Sequence, residues 1–483
     1  TTKEKSETPS SDVSSTSKDS VIVGITQDLD SLDPHKMVYA GTKEVLFNVY
    51  EGLVKPTSQG DLIPAVASNY KISEDGKSYV FTLRDGVLFH DNSKVTVDDI
   101  KYSIKRFADI QGKDSAFSII EKVKIVDENK VEVVLKEGNT EFLSEMTMAI
   151  LKKGEDSMLG PIGTGPFSIK TYQPGISLTI GKFEGYWKSG YPYLSEVTFR
   201  VLANIDAALM EMQAGSIDVL QYLTMDQAQS LENNFDILTG NVNYVQGLFL
   251  NNHYKPFKDI RVRQALCHAV DKQSINDLIF GGSSHLIGTN MIPGFTKYYD
   301  STTENKYTHN VDKAKQLLKE AGYENGFDLT IKVPNNYAPH QTTAEVLAEN
   351  LKAVGINVKL ELIEFTSWVE NVYNKRDYEA TVVAVDGTLA PSSWFVKNVS
   401  DGVNNFTNFN DKEFDKLYKK AFASVDETKK KEAYKKLQNI LADKAASVYI
   451  QDIANLVAIN KNLTGYEFYP VAAQDMSVVR YRE

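Results

Sequence analysis

Between Phe327 and Gly387 the chain reads "FDLTIKVP", "HQTTAEVLAENLKAVG", "NVKLELIEF", "TSWVENVYNK" and "YEATVVAVDG" in turn. The first, third and last are short apolar runs rich in β-branched residues, and the two between them have helical spacing. The succession is strand, helix, strand, helix, strand. Its connections are too long for hairpins, so the sheet must be largely parallel, with helices covering its faces. This commits the region to the α/β class. It also points to a place for chemistry, because ligands of open α/β sheets sit beyond the carboxyl ends of the strands. Those ends are "PNNYAPH", "IEF" and "VDGTLAPSSW". They bring forward Asn335, Asn336, Tyr337 and His340 at one end, and Asp386 and Trp394 at another.

At 483 residues the chain exceeds what one core fills, so two or three lobes are expected. A net charge of −11 argues against wrapping nucleic acid, which needs clustered Lys and Arg to displace counterions. No stretch reaches the roughly 18 consecutive apolar residues of a membrane-spanning helix. The single cysteine, Cys267 in "RQALCHAV", reads as a buried, inert thiol among apolar helical neighbours. Residues 1–20 are nearly all Ser, Thr, Lys, Asp and Glu. They offer too little apolar surface to offset ordering, so the expectation is a disordered tether. Without a starting Met or a signal peptide, the chain reads as processed or truncated.

"RDGVLFHDNSKVTVDDIKYSIKRF", Arg84 to Phe107, gathers a histidine and several carboxylates, which raises the question of a metal or acid–base site. A structural reading accounts for them better. Val97, Ile100, Ile104 and Phe107 recur at helical spacing and form one buried stripe. Thr96 is then the N-cap, and Asp99 falls where a capping-box acid belongs. Asp98 and Asp99 also meet the positive end of the helix dipole.

The same stretch resembles the characteristic segment of the family 5 solute-binding proteins of ABC importers, the oligopeptide, dipeptide and nickel-binding type. Further matches follow in family order: "SLDPHK", "VYEGL", "PIGTGPF", "DAALMEMQAGSIDV", "PFKDIRVRQALCHAVDK", "VDKAKQLLKEAGY" and "AENLKAVGINVKLE". The resemblance runs from about Val21 to the C-terminus. It implies an α/β, two-lobed periplasmic-binding-protein-like fold (cluster C) with an extra insertion subdomain. The discontinuous first lobe would comprise residues 21–55, 168–255 and 463–483, the insertion 56–167 and the second lobe 256–462. Ligand would select a closed state of the two lobes.

The resemblance also implies site residues. Peptide-binding members place an Asp after the strand that ends here at Asp386, a few residues before a Pro (here Pro391), to pair with the peptide α-ammonium. Taken alone, Asp386 reads more readily as a turn aspartate, since Asp-Gly is a frequent turn pair. The backbone of Val383, Ala384 and Val385, and that of Tyr39 and Ala40, would pair with an extended peptide as an added strand; Tyr39 reads equally as a packing aromatic. Two departures stand out. Relatives often carry Gly-Trp where this chain has Val382-Val383. The arginine that holds the carboxylate in dipeptide-binding relatives is missing from the stretch after Val333-Pro334.

The family implies a short peptide ligand, permease and ATPase subunits of an ABC importer as partners, and a monomer. It needs no cofactor, metal or catalytic residue. A Ser/Thr-rich leader is common between the lipid-anchored cysteine and the folded part of Gram-positive surface lipoproteins, so the expected location is the extracellular face of the membrane. The alternative ligand is nickel or a metal–chelator complex, although the seven histidines are scattered, without a close pair. An extracellular hydrolase is the more distant alternative, with no HExxH, GxSxG or CxxC pattern to support it.

Overall fold

The computed structural model describes residues 19–113, 115–154, 156–335, 337–402 and 405–483. Two large sheets and one smaller sheet organise them. The first has seven strands in the order 235–241, 454–460, 219–223, 20–25, 196–201, 177–182 and 167–173. Ser20–Ile25 runs parallel to Glu196–Val201 from Ser20 onward, and the Ser20 carbonyl accepts from the Tyr481 hydroxyl at 2.7 Å. Ser20 therefore belongs to the fold and not to a tether. The expectation for residues 1–18 lies outside the described residues.

The second sheet has six strands in the order 285–286, 448–452, 245–250, 380–385, 327–334 and 356–363. Its core is the parallel trio expected from sequence. Phe327–Pro334 pairs with Ile356–Ile363 along its whole length and with Ala380–Val385 only at Ala380 and Thr381. The helix Ala338–Lys352 turns Ala344, Leu347 and Leu351 inward. The second crossover has the length its sequence suggests but a different winding, a single α turn at Phe365–Trp368 continued by a π turn over Val369–Asn374. On its other side Ala380–Val385 pairs antiparallel with Val245–Leu250, so the sheet is mixed.

The insertion carries a four-stranded antiparallel sheet, 67–72, 78–83, 130–135 and 120–127, with the helix Val97–Gln111 packed on it. The capping box is present: Asp99 N–H donates to Thr96 Oγ1 at 3.3 Å, and Thr96 N–H to Asp99 Oδ2 at 2.8 Å. Val97, Ile100 and Ile104 are buried. His90 is tied to the Gly165 carbonyl at 3.0 Å, and burial lowers it to about 4. Asp91 pairs with Lys152. This stretch is architecture.

The chain changes sheet at residues 242–244 and again at Ile453. The sequence reading put these crossings at 255/256 and 462/463. Val245–Leu250 and Ala454–Asn460 consequently exchange lobes relative to that reading. The displacement has a simple cause: "VYIQDIANLVAIN" holds no Gly or Pro, and its Gln451, Asp452 and Asn455 stand among β-rich apolar residues, so no turn signal marks a strand passing from one sheet to the next. The two crossings are joined side by side. Val242 N–H reaches the Ile453 carbonyl at 2.9 Å. The buried Asp452 accepts at Oδ1 from the N–H groups of Asn243 (3.0 Å) and Tyr244 (3.3 Å). Its Oδ2 is buried with no hydrogen-bond partner among the described residues, and burial raises its pKa well above the usual carboxylate range.

Candidate ligand-binding site

Asp386 stands at the end of the buried strand Ala380–Val385 and is exposed. Its carboxylate has no hydrogen bond or ion pair among the described residues. The loop after it wraps Trp394. The indole N–H donates to the Thr388 carbonyl at 3.0 Å, and Ser393 Oγ accepts the Thr388 N–H at 2.7 Å. A Cβ on Gly387 would come within 2.5 Å of the indole, so packing requires the glycine of this Asp-Gly pair. Trp394 itself is 1% exposed; it supports the loop from beneath and does not line the cleft, as its place beyond the strand had suggested.

One turn beyond Trp394, Lys397 returns to Asp386 and donates to its backbone carbonyl. The ammonium also lies 5.8 Å from the centroid of the Trp394 ring. Burial lowers it to about 8, against the opposing pull of Asp386. Two tyrosines share this neighbourhood. Burial, then the charges of Asp386 and Glu44, pushes Tyr244 up to about 12; burial and Asp386 raise Tyr373. Tyr244 lies on a crossing, and its ring is within reach of charge from both lobes. Glu44 is buried on the short helix Ala40–Leu46 of the first lobe. It accepts from Gln221 Nε2 at 2.8 Å and from the Tyr222 hydroxyl. Tyr222 adopts φ 64°, a left-handed conformation rare for a bulky residue.

The remaining expected residues divide. Val383, Ala384 and Val385 are paired on one side with Gly247, Gln246 and Val245. On the other side, beyond Thr381, their strand has no strand partner among the described residues, so an extended ligand has an edge to join. Tyr39 is 46% exposed, but its backbone is already engaged. Its N–H goes to Asp30 Oδ1 at 3.3 Å, and its carbonyl accepts from Lys43 at 3.1 Å. Ala40, exposed in the first turn of that helix, is better placed to offer a backbone donor. Asn335 is exposed with its N–H bonded to the Ile363 carbonyl at 2.9 Å, and Tyr337, 37% exposed, precedes the first turn of the following helix without a side-chain capping bond. Asn336 lies outside the described residues. His340 is corrected: it is 4% exposed, bonded through Nδ1 to Gln246 Nε2 at 3.0 Å, and lowered by burial to about 4. It is a core histidine because the first turn of its helix lies against the sheet.

Sequence reasoning missed Lys397, Tyr244, Tyr373 and Glu44. Lys397 in "SSWFVKN" looks like a solvated helical lysine, and only the fold returns it to Asp386. Among the described residues no group of three or more His, Cys, Asp or Glu is placed to hold a metal ion, and no helix is long and apolar enough to cross a membrane.

Two lobes and an insertion, with charges from both lobes acting on Tyr244 at a crossing, make up the architecture, and comparison with known proteins identifies the lineage. Residues 61–407 match the bacterial extracellular solute-binding proteins, family 5, and the chain belongs to that family. It is 29% identical over 462 residues to the dipeptide-binding protein of Escherichia coli K12, covering 85% of this chain and 84% of that protein. Among solved structures it resembles the ABC transporter substrate-binding protein CtaP of Listeria monocytogenes, with a TM-score of 0.85 and 24% identity over 96% of this chain and 99% of that one. It also resembles the periplasmic binding protein DppA of Helicobacter pylori in complex with the peptide STSA, with a TM-score of 0.75 and 23% identity over 96% and 98% of the two chains.

Proposed function

We propose that this extracellular solute-binding protein captures short peptides between its lobes and delivers them to the permease and ATPase subunits of an ABC importer. It would act as a monomer held by a lipid anchor at the membrane surface, and would return its ligand chemically intact. One observation carries the peptide reading: the exposed, unpartnered carboxylate of Asp386 ends a strand whose neighbouring edge is open beyond Thr381. A carboxylate beside a free backbone edge suits an extended chain that begins with an ammonium group. The dipeptide-binding relative and the peptide-bound neighbour support the same ligand class. Native mass spectrometry of protein purified from rich medium should find peptides of defined length bound. Small-angle scattering with an added peptide mixture should show compaction. Recovery of nickel or a metal–chelator complex in their place would overturn the peptide reading, and cleaved peptides would overturn the non-enzymatic one.

A further inference from the structure

Two other lysines bracket what an ammonium does in this molecule. Lys272, half-buried and lowered by burial to about 8, donates among the described residues only to the Ile287 carbonyl at 2.7 Å. An under-used ammonium therefore does not by itself mark a site, whereas Lys430 is fully paired. Lys430, with a side chain 4% exposed, is paired to Glu141 Oε2 at 3.0 Å. It donates also to Thr140 Oγ1 (3.1 Å) and the Ala421 carbonyl (3.2 Å). All of its charge is answered. Lys397 differs from both in standing beside the open carboxylate of Asp386. It is half-buried, with burial depressing its ammonium. Yet among the described residues it meets one backbone carbonyl and the face of one indole, and no carboxylate within ion-pair distance. An ammonium has three N–H donors, so most of its capacity is unspent. The carboxylate of Asp386 beside it is unspent as well. An opposite pair standing close without closing on itself is a receptor for the complementary opposite pair.

We propose that Asp386 and Lys397 together read a zwitterionic ligand end, with Asp386 taking the α-ammonium of a peptide and Lys397 a carboxylate carried on its first side chain. This rests on the peptide reading above and narrows it to peptides that begin with an acidic residue. An N-terminal aspartate holds its ammonium and side-chain carboxylate only a few bonds apart, matching two protein charges that meet at residue 386. The arrangement also supplies an anion holder in a chain that lacks the arginine of its dipeptide-binding relatives. The preference is worth a charge-assisted hydrogen bond, about ten- to a hundredfold in affinity.

The test is calorimetry with Asp-Ala-Ala and Asn-Ala-Ala, which share shape and ammonium and differ in one charge. The wild type should bind Asp-Ala-Ala at least about tenfold tighter. Lys397→Met should bind both peptides alike, near the wild-type affinity for Asn-Ala-Ala, and Lys397→Arg should keep most of the preference. The wild type supplies an independent readout should the Met variant misfold. Between about pH 7 and pH 9.5 the Asp-over-Asn ratio should decay as Lys397 loses its proton. Tyr244 and Tyr373, the tyrosines that face Asp386, are both raised and do not follow it; each peptide's own α-ammonium titrates in the same window, so each affinity is referred to the protonated peptide before the ratio is taken. Equal binding of the two peptides by the wild type, or a preference that survives in Lys397→Met, overturns the assignment. So does a tenfold tightening of Asn-Ala-Ala in Lys397→Met, which would make Lys397 a resident counter-ion competing with the ligand. Failure of both peptides to bind the wild type, together with failure of a random peptide mixture, overturns the peptide reading itself.

Discussion

Two carboxylates stand on either side of one short loop and lead opposite lives. Glu141, reaching from the insertion into the second lobe, accepts from Lys430 Nζ at 3.0 Å, the Tyr434 hydroxyl at 2.5 Å and the Ser392 N–H at 2.9 Å. Its neighbour Thr140 donates to the carbonyls of Phe422 (3.1 Å) and Ser424 (3.2 Å). The carboxylate of Asp386, at the other end of the loop that Ser392 closes, accepts from nothing among the described residues. A carboxylate surrounded by donors and buried is part of the framework, since removing it strands every donor. One left open at the end of a strand is available to a partner from outside. Proximity to the cleft does not separate the two; satisfaction does.

The largest expected effect breaks the framework side. Glu141→Ala leaves the Lys430 ammonium buried without its counter-charge, which costs about 3–5 kcal/mol, read as a lowered urea midpoint. Its discrimination between free and N-acetylated peptides should persist. Asp386→Ala should do the reverse. Melting should be unchanged, while affinity for a free peptide falls roughly a hundredfold or more, the cost of about 3–5 kcal/mol for an unpaired cation in a closed cleft. N-acetylation of the peptide should cost the wild type a similar amount, and the two losses should not add; additive losses in calorimetry on the four combinations would remove Asp386 from the site.

Asp452 sharpens the contrast, being buried like Glu141 and only half satisfied. Its folded pKa is raised, so the folded state binds more protons than the unfolded state above the ordinary carboxylate range. Stability therefore falls as pH rises through that window. Asp452→Asn keeps an acceptor for Asn243 and Tyr244 and removes the charge. It should gain about 1–2 kcal/mol at pH 7.5 and progressively less toward pH 5, measured by thermal melts at both. The smallest effect is expected from deleting residues 1–18. Their composition carries no apolar payload, so the melting temperature should stay within error, whereas a cut that also removes Ser20 should lower it.

How much was legible follows from the same distinction. Periodicity gave the parallel trio and the Thr96–Asp99 capping box, because local spacing determines them. Ser20 and the crossings were misplaced because pairing with Glu196 or a change of sheet leaves no mark in nearby residues. At the site, Asp386 and the open strand edge could be reached from topology and family resemblance. Trp394 and His340 had the right position along the chain and the wrong facing, since both turn inward under the elements that follow their strands. Lys397 could not be reached at all, because its meaning depends on a loop closing over Trp394.

The place of Ala454–Asn460 between the strands 219–223 and 235–241 also dictates an order of events at the ribosome and the secretion channel. The second lobe, from Val245 to Asp452, is one unbroken piece of chain and can complete its sheet once it has emerged. The first lobe begins at Ser20 yet cannot join its outermost strand to the rest until Asn460 is out. Only the strand 235–241 has to wait for it, because 219–223, 20–25, 196–201, 177–182 and 167–173 already adjoin one another, so the first lobe carries one unpaired strand until the last part of the chain is made.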